Sequence, residues 1–399
     1  MKKLSLAAIL ALSAASLLHA DITLDSVSGD AKLFYDTTDQ ETVAVPNADL
    51  FNKASSIGDA SVSLDLKATV NKSVKINTGI TAVTTLGLEH TLVGATFVNH
   101  TDLNTSGEYQ AGLNDAVFFD EANIAFTTPL GGTMVVGRQY LDTPLVFSET
   151  WNVAANSYDA AVCVHKVSDL TIVAAWVGRS NVAGAATVNT GATLGGQFDR
   201  FTSGAGNQAG AYAAGLVYSA NDVTVQAWDY EVPAVANAIW LQADAKVANI
   251  DLGVQYSTFA LDADGAEDPD MFAVKAGTTF GEASVSLAYS SVSKGDHNYA
   301  NVGGVQSKIY TEAWWNYGYV TSNKIDDVSA INLTAEYGAF GAYFTSVDKG
   351  SANKDVFETA LTYAVDFGNL ATSFAYVYED FDANKDSDNR LQVYLTYGF

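Results

Sequence analysis

Residues 118–144 read FFDEANIAFTTPLGGTMVVGRQYLDTP, and this stretch decides the fold class. Two strand-like runs, residues 118–127 and 133–139, flank Pro129, Leu130, Gly131 and Gly132. Strand-forming runs on either side of a short proline- and glycine-bearing turn are the signature of a β-hairpin. The next segment breaks the pattern. Residues 145–157 carry Phe147, Glu149 and Trp151 without alternation, and strand-like sequence resumes at Ala160. The order is strand, tight turn, strand, long loop.

That order recurs along the chain. Ala31, Leu33 and Tyr35 alternate with Lys32, Phe34 and Asp36, and Ala60, Val62, Leu64, Leu66, Ala68 and Val70 alternate with Ser61, Ser63, Asp65, Lys67 and Thr69. A period of two means strand. Short turns at Asn71-Lys72-Ser73, Ala220-Asn221-Asp222, Phe280-Gly281-Glu282 and Phe367-Gly368-Asn369 contrast with long connections such as residues 85–114, 179–208 and 293–327. The count is one opening strand, eight tight hairpins and one closing strand, eighteen in all, with sixteen as the alternative. An even number of antiparallel strands closes into a ring and removes both sheet edges. All five prolines fall in predicted loops and turns, as expected of a residue that cannot donate to a ladder.

The chain begins with Lys2 and Lys3, an apolar run over residues 4–18 and Leu18-His19-Ala20. This reads as a secretory signal peptide over residues 1–20, leaving residues 21–399 as one domain. No later stretch has the roughly 20 consecutive apolar residues of a spanning helix. Yet 48% of residues are hydrophobic and 16% charged, with 20 Tyr and 19 Phe. A transmembrane antiparallel β-barrel reconciles these facts, because alternate residues face lipid and water. The formal charge of −25 becomes −27 once Lys2 and Lys3 leave with the leader, which argues against nucleic acid as a partner and for a field that favours cations in a confined pore. Cys163 is the only cysteine, so no intrachain disulfide holds the loops.

Barrel selectivity is set at the narrowest ring, where charged side chains choose the sign of the ion. The candidates there are Asp142 and Glu149 in the loop, Asp159 at its far end and Arg138 opposite. Asp65, Glu121, Asp229 and Asp244 are expected on inward faces, with Lys67 and Lys75 as counterweights. Arg138 shares its parity with Met134 and Val136, which an inward placement reconciles only through a bulge or a different register. Asp262, Asp264, Glu267, Asp268 and Asp270 gather five carboxylates in one loop, a set that suits Ca²⁺ or a solvated acidic surface. No cofactor is required. His90, His100, His165 and His297 form no recognisable catalytic pairing, so no enzyme is expected.

Together the leader, the hairpin DEANIAF…GGTMVVGRQ, the segment TEAWWNYGYVTS from Thr311 to Ser322 and the ending YLTYGF resemble the major outer-membrane porins of Campylobacter and its relatives, within the general bacterial porins. The resemblance implies an eighteen-stranded barrel with the loop after strand five folded into the lumen. It also implies a homotrimer in the outer membrane, in contact with bilayer and lipopolysaccharide, that passes small hydrophilic solutes with a preference for cations. Phe399 after the alternating Leu391, Val393, Leu395 and Tyr397 resembles a barrel-assembly signal. Few basic residues stand opposite the loop, a departure from general porins. A substrate-specific channel and a surface adhesin are the alternatives.

Overall fold

The computed structural model describes residues 22–40, 49–86, 88, 92–93, 116–181, 198–200, 210–321, 323–350, 355–381 and 386–399. The leader lies outside the described residues. The first strands are β1 (Thr23–Gln40), β2 (Ser56–Asn71), β3 (Val74–Thr84), β4 (Ala116–Thr127), β5 (Thr133–Gln139), β6 (Tyr158–Val167) and β7 (Leu170–Ser180). A two-residue ladder, β8 (Asp199–Arg200), extends β7. Then come β9 (Ala211–Ala220), β10 (Val223–Val232), β11 (Ala236–Val247), β12 (Ile250–Leu261), β13 (Asp270–Phe280) and β14 (Ala283–Val292). The ring ends with β15 (Val328–Tyr337), β16 (Phe340–Asp348), β17 (Val356–Phe367), β18 (Leu370–Phe381) and β19 (Asp386–Gly398).

Apart from β8, eighteen antiparallel strands pair each with its sequence neighbour, and β1 closes the ring against β19 from Asp30↔Gly398 to Gln40↔Asp388. Closure matters because apolar surroundings offer no water to an unpaired backbone N–H or C=O. Gly29 and Phe399 exchange both backbone hydrogen bonds at 3.0 Å, so the chain's last residue is laddered to its first strand. The eight tight hairpins lie at one end, and Asn221 and Asp222 take the left-handed conformation that a two-residue hairpin turn requires. The longer connections share the other end. One is shorter than expected: only residues 233–235 separate β10 from β11. β1 and β2 also run further than the alternation implied, held by the Thr37↔Ser56 pair and a 2.9 Å bond from Ser56 Oγ to Thr37 Oγ1.

The two faces of the wall differ in chemistry. Ile239, Leu241, Leu287, Leu333 and Leu361 are each more than 40% exposed on the outer face, whereas their neighbours Trp240, Asn332 and Ala360 are buried inside. An exposed apolar band on a closed sheet is the outer surface of a membrane-spanning barrel. No helix among the described residues is long and apolar enough to cross a membrane. The apolar outer band is carried by the strands of the closed sheet. Replacing the outward Leu333 by Lys should lower unfolding stability in lipid by about 2–4 kcal/mol, the cost of a cation at mid-bilayer depth, while Thr362→Lys on the inner face should cost far less. Urea unfolding in liposomes checks this, and equal losses would contradict the assignment of faces.

Candidate functional site

Two long connections fold into the ring. Residues 140–157, between β5 and β6, touch three separate stretches of wall: Leu145 N–H donates to Tyr230 Oη at 3.4 Å, Ser61 Oγ donates to Val153 O at 2.8 Å, and Tyr394 Oη donates to Asn152 O at 3.1 Å. Val153 packs with Phe34, Val83 and Phe118 of β1, β3 and β4. The loop thus crosses the lumen. Residues 293–327, between β14 and β15, do the same from the other side. Glu358 of β17 accepts from Trp315 N–H and Asn316 N–H, both at 2.9 Å, and Glu379 of β18 accepts from Asn316 Nδ2 and Tyr319 Oη. Gln255 of β12 donates to Lys308 O at 2.8 Å, and Tyr310 Oη donates to Asp244 of β11 at 2.8 Å. The sequence announced only the first of these loops. The signal for the second was its aromatic content, with Trp314, Trp315, Tyr317 and Tyr319 in a segment that a solvent-facing loop would fill with polar residues.

The loops meet at Glu149. Its Oε1 accepts from Asn301 Nδ2 at 2.9 Å and from the N–H groups of Val305 and Gln306, both at 2.8 Å, while Oε2 accepts from Trp151 Nε1 at 2.9 Å. Asn156 continues the junction, accepting from Glu149 N–H at 2.6 Å and donating to Gly303 O at 2.8 Å. Gly304 is required here because a Cβ would collide with the Glu149 carboxylate. Burial pushes the Glu149 carboxyl up, and its hydrogen bonds pull the other way; burial also raises Glu312 well above the usual range. Glu149 was expected to face the pore as a selectivity charge. Only 1% of it is exposed, so it ties one loop to the other instead. Asp142 is the exposed acid of the first loop, and it pairs with Lys308 of the second.

Other expected site residues divide by parity. Asp65, Lys67 and Lys75 share the inner rows with Ser61, Asn77 and Asn123. A register shift in the β3–β4 ladder brings both Asp120 and Glu121 inward, and Asn123 Nδ2 donates to Glu121 at 2.9 Å. Asp120 escaped the sequence reading because strict alternation assigns it and Glu121 opposite faces. The carboxylates of Asp65 and Asp120 converge over Gly79, where a Cβ would strike both. With Asp30, Lys32 and Lys67 they make the wall of β1–β4 densely charged and mainly acidic. Asp244 is inward, paired with Lys275 at 2.9 Å.

Three residues lie on the wrong side of the wall for the role expected. Asp229 sits between the inward Trp228 and Tyr230 and pairs with the exposed Ile239, so it faces outward. Arg138 faces outward as well, because the ladder runs unbroken from Thr127↔Thr133 to Ala122↔Arg138 and Val136 on the same face is 43% exposed. The bulge needed to turn Arg138 inward occurs on β4, beyond the end of that pairing. Asp159 pairs across the ladder with Arg138, and its carboxylate holds Arg138 Nε at 2.8 Å and Arg179 Nη2 at 2.5 Å. These three form an ionic cluster on the outer rim, covered by Phe198, whose ring centroid lies 3.3 Å from the Arg138 guanidinium carbon.

The acidic loop does not converge either. Asp268 accepts from Leu261 N–H, Glu267 pairs with Lys294 and Asp270 accepts from Tyr256 Oη, while Asp262 and Asp264 are exposed. Among the described residues no group of three or more His, Cys, Asp or Glu side chains is placed to hold a metal ion. Cys163 lies on the outer face, paired with Ala174, and His165 pairs there with the exposed Ile172.

Beneath the crossing loops is a cavity of about 510 Å³. Its lining includes Trp151, Trp314, Trp315, Tyr317, Tyr343 and Tyr394, drawn from both loops and from β16 and β19.

Several solved barrels share this architecture. Pseudomonas aeruginosa OpdO matches with a TM-score of 0.68 and 13% identity, covering 94% of this chain and 96% of its own. Acinetobacter baumannii OccAB4 matches at 0.68 and 16%, covering 95% and 99%. Pseudomonas aeruginosa OpdK, solved with vanillate, matches at 0.68 and 11%, covering 94% and 99%. The shared fold is a closed eighteen-stranded antiparallel barrel. At these identities the likeness is one of fold, and it does not single out the Campylobacter-type porins. No protein-family model matches the chain, and no curated protein matches it.

Removing the Glu149 carboxylate should loosen the loops without opening the ring. Glu149→Ala discards bonds to a charged acceptor worth about 1.5–3 kcal/mol. Cleavage of residues 293–327 by chymotrypsin in the intact barrel should then accelerate by roughly 10- to 150-fold, since each 1.4 kcal/mol is a factor of ten. Unchanged cleavage would mean that the junction does not hold the loops.

Proposed function

We propose that this protein is an outer-membrane channel for passive entry of small hydrophilic solutes, narrowed by two inward loops and preferring cations. The observation that carries the reading is the closed barrel with an apolar outer face, a charged inner face and loops folded across its lumen. A catalytic role has no comparable support. The short hairpins lie on the periplasmic side and the long connections outside. A homotrimer, as the porin resemblance implies, belongs to the same reading.

Cation preference rests on the acidic wall of β1–β4. One carboxylate about 4 Å from a passing ion acts with about 4 kcal/mol at an effective dielectric near 20, against about 1 kcal/mol in bulk water. Asp65, Asp120 and Glu121 stand together on this wall, whereas Lys275 and Lys308 are each paired with a carboxylate. A substrate-specific channel is the second reading, favoured by the aromatic cavity that the loops enclose. OpdK, a protein of the same architecture, was solved with vanillate.

Reversal potentials in a KCl gradient across planar bilayers test the cation preference. Asp65→Asn and Glu121→Gln should each lower the cation-to-anion permeability ratio severalfold at 0.1 M salt, with the effect shrinking at 1 M, where screening shortens to about 3 Å. Glu267→Gln in the exposed loop should change it little. Equal shifts from all three, or none, would remove the acidic wall from the selectivity account.

A further inference from the structure

The cavity under the loops is chemically unlike the acidic wall. Its lining of aromatic rings is interrupted by carboxamides and hydroxyls: Gln306 from the second loop, Asn332 and Thr334 from β15, and Gln392 from β19. Trp151, Trp314 and Trp315 are each only partly buried, so part of their surface remains open. Charged groups at its border are already committed. Glu312 accepts from Ser307 N–H at 2.7 Å and Ser307 Oγ at 3.1 Å, and Arg390 pairs with Asp36 while lying over the Trp315 ring at 4.2 Å. Around the cavity, Glu149, Glu358 and Glu379 are likewise occupied by donors from the loops.

An ion entering such a space loses its water and meets no free countercharge, a cost that nothing repays. A carboxylate fares worst, with the buried Glu149, Glu358 and Glu379 nearby. A wholly apolar ligand would leave the spare acceptor sites of Thr334 and Gln392 unmet. The remaining chemistry is a ring with an apolar face and a rim of neutral groups that both donate and accept. Amides and hydroxyls match such a rim. Thr334 Oγ1 donates to Asn332 Oδ1 and keeps acceptor capacity, and Gln392, having donated to Asp36 Oδ2, keeps its carbonyl oxygen. The volume lies within the roughly 300–1,000 Å³ of small-molecule sites.

We propose that this cavity is a binding site for neutral sugars, whose pyranose C–H faces stack on Trp151, Trp314 and Trp315 while their hydroxyls meet the amides of Gln306 and Gln392 and the hydroxyl of Thr334. The proposal rests on the channel reading and gives it a substrate class: sugars bind on their way through. Selection against carboxylates follows from the same groups, and it separates this lumen from one built around free basic side chains.

Single-channel recording in planar bilayers with maltose, benzoate and choline as separate probes tests it. Maltose should block the KCl current saturably, with a midpoint at least tenfold below that of benzoate or choline. Trp314→Ala should raise the maltose midpoint at least tenfold, Trp314→Phe should restore most of the loss, and Trp176→Ala on the outer face should leave it unchanged. An open-channel current in each variant shows that it has folded. KCl conductance without saturable maltose block, tighter block by benzoate or choline, or a midpoint indifferent to Trp314→Ala each overturns the sugar site and leaves the channel standing. Absence of KCl conductance in the wild-type barrel overturns both.

Discussion

Closure of the ring is the constraint from which the rest follows. Strands whose outer face is apolar have to satisfy their backbone groups within the sheet, and only a closed barrel does so without leaving an edge. Here β1 meets β19 over eleven residue pairs, and the terminal Phe399 completes the seam against Gly29. A ring of eighteen strands encloses more volume than its own inward side chains fill. That surplus is what the two long connections occupy.

The loops stay inside because their polar groups are satisfied there. Wall residues supply specific partners for loop backbone, with Glu358 receiving two N–H groups and Ser61 capping a carbonyl, so entry into the lumen leaves few groups unpaired. Glu149 then joins the loops to one another. Its four donors come from its own loop and from the facing one, which makes each loop's position depend on the other's. The division of labour follows. The partly exposed Asp65 and Glu121 lie on the β1–β4 wall, the buried Glu149, Glu358 and Glu379 act as anchors, and aromatic rings enclose the neutral space between.

The fold was legible because its signal is a period of two repeated along the chain, and a period survives local errors. Turn residues such as Asn221-Asp222 and the alternation from Leu391 to Phe399 fixed strand number and direction. The site was less legible, since parity is lost at a single bulge: the register shift beside Asp120 put two neighbouring acids on one face, and the unbroken β5 ladder left Arg138 outside. Asp229 failed differently: Trp228 and Tyr230 on either side of it face the lumen, where Tyr230 accepts from the loop at Leu145 N–H. Glu149 was found by position and misjudged in role. A carboxylate's burial depends on a loop 150 residues away, and nothing local records it.

The inward position of residues 140–157 is the central claim, and a disulfide tests it most directly. In a Cys163→Ser background, Ser61→Cys and Val153→Cys place one thiol on the β2 wall and one on the loop, where Ser61 Oγ now reaches Val153 O at 2.8 Å. Mild oxidation of the folded barrel in membranes should join them, seen as a mobility shift reversed by reductant, with the single-cysteine variants unchanged. A pair that stays reduced while the barrel remains folded would place the loop outside the lumen and contradict the account.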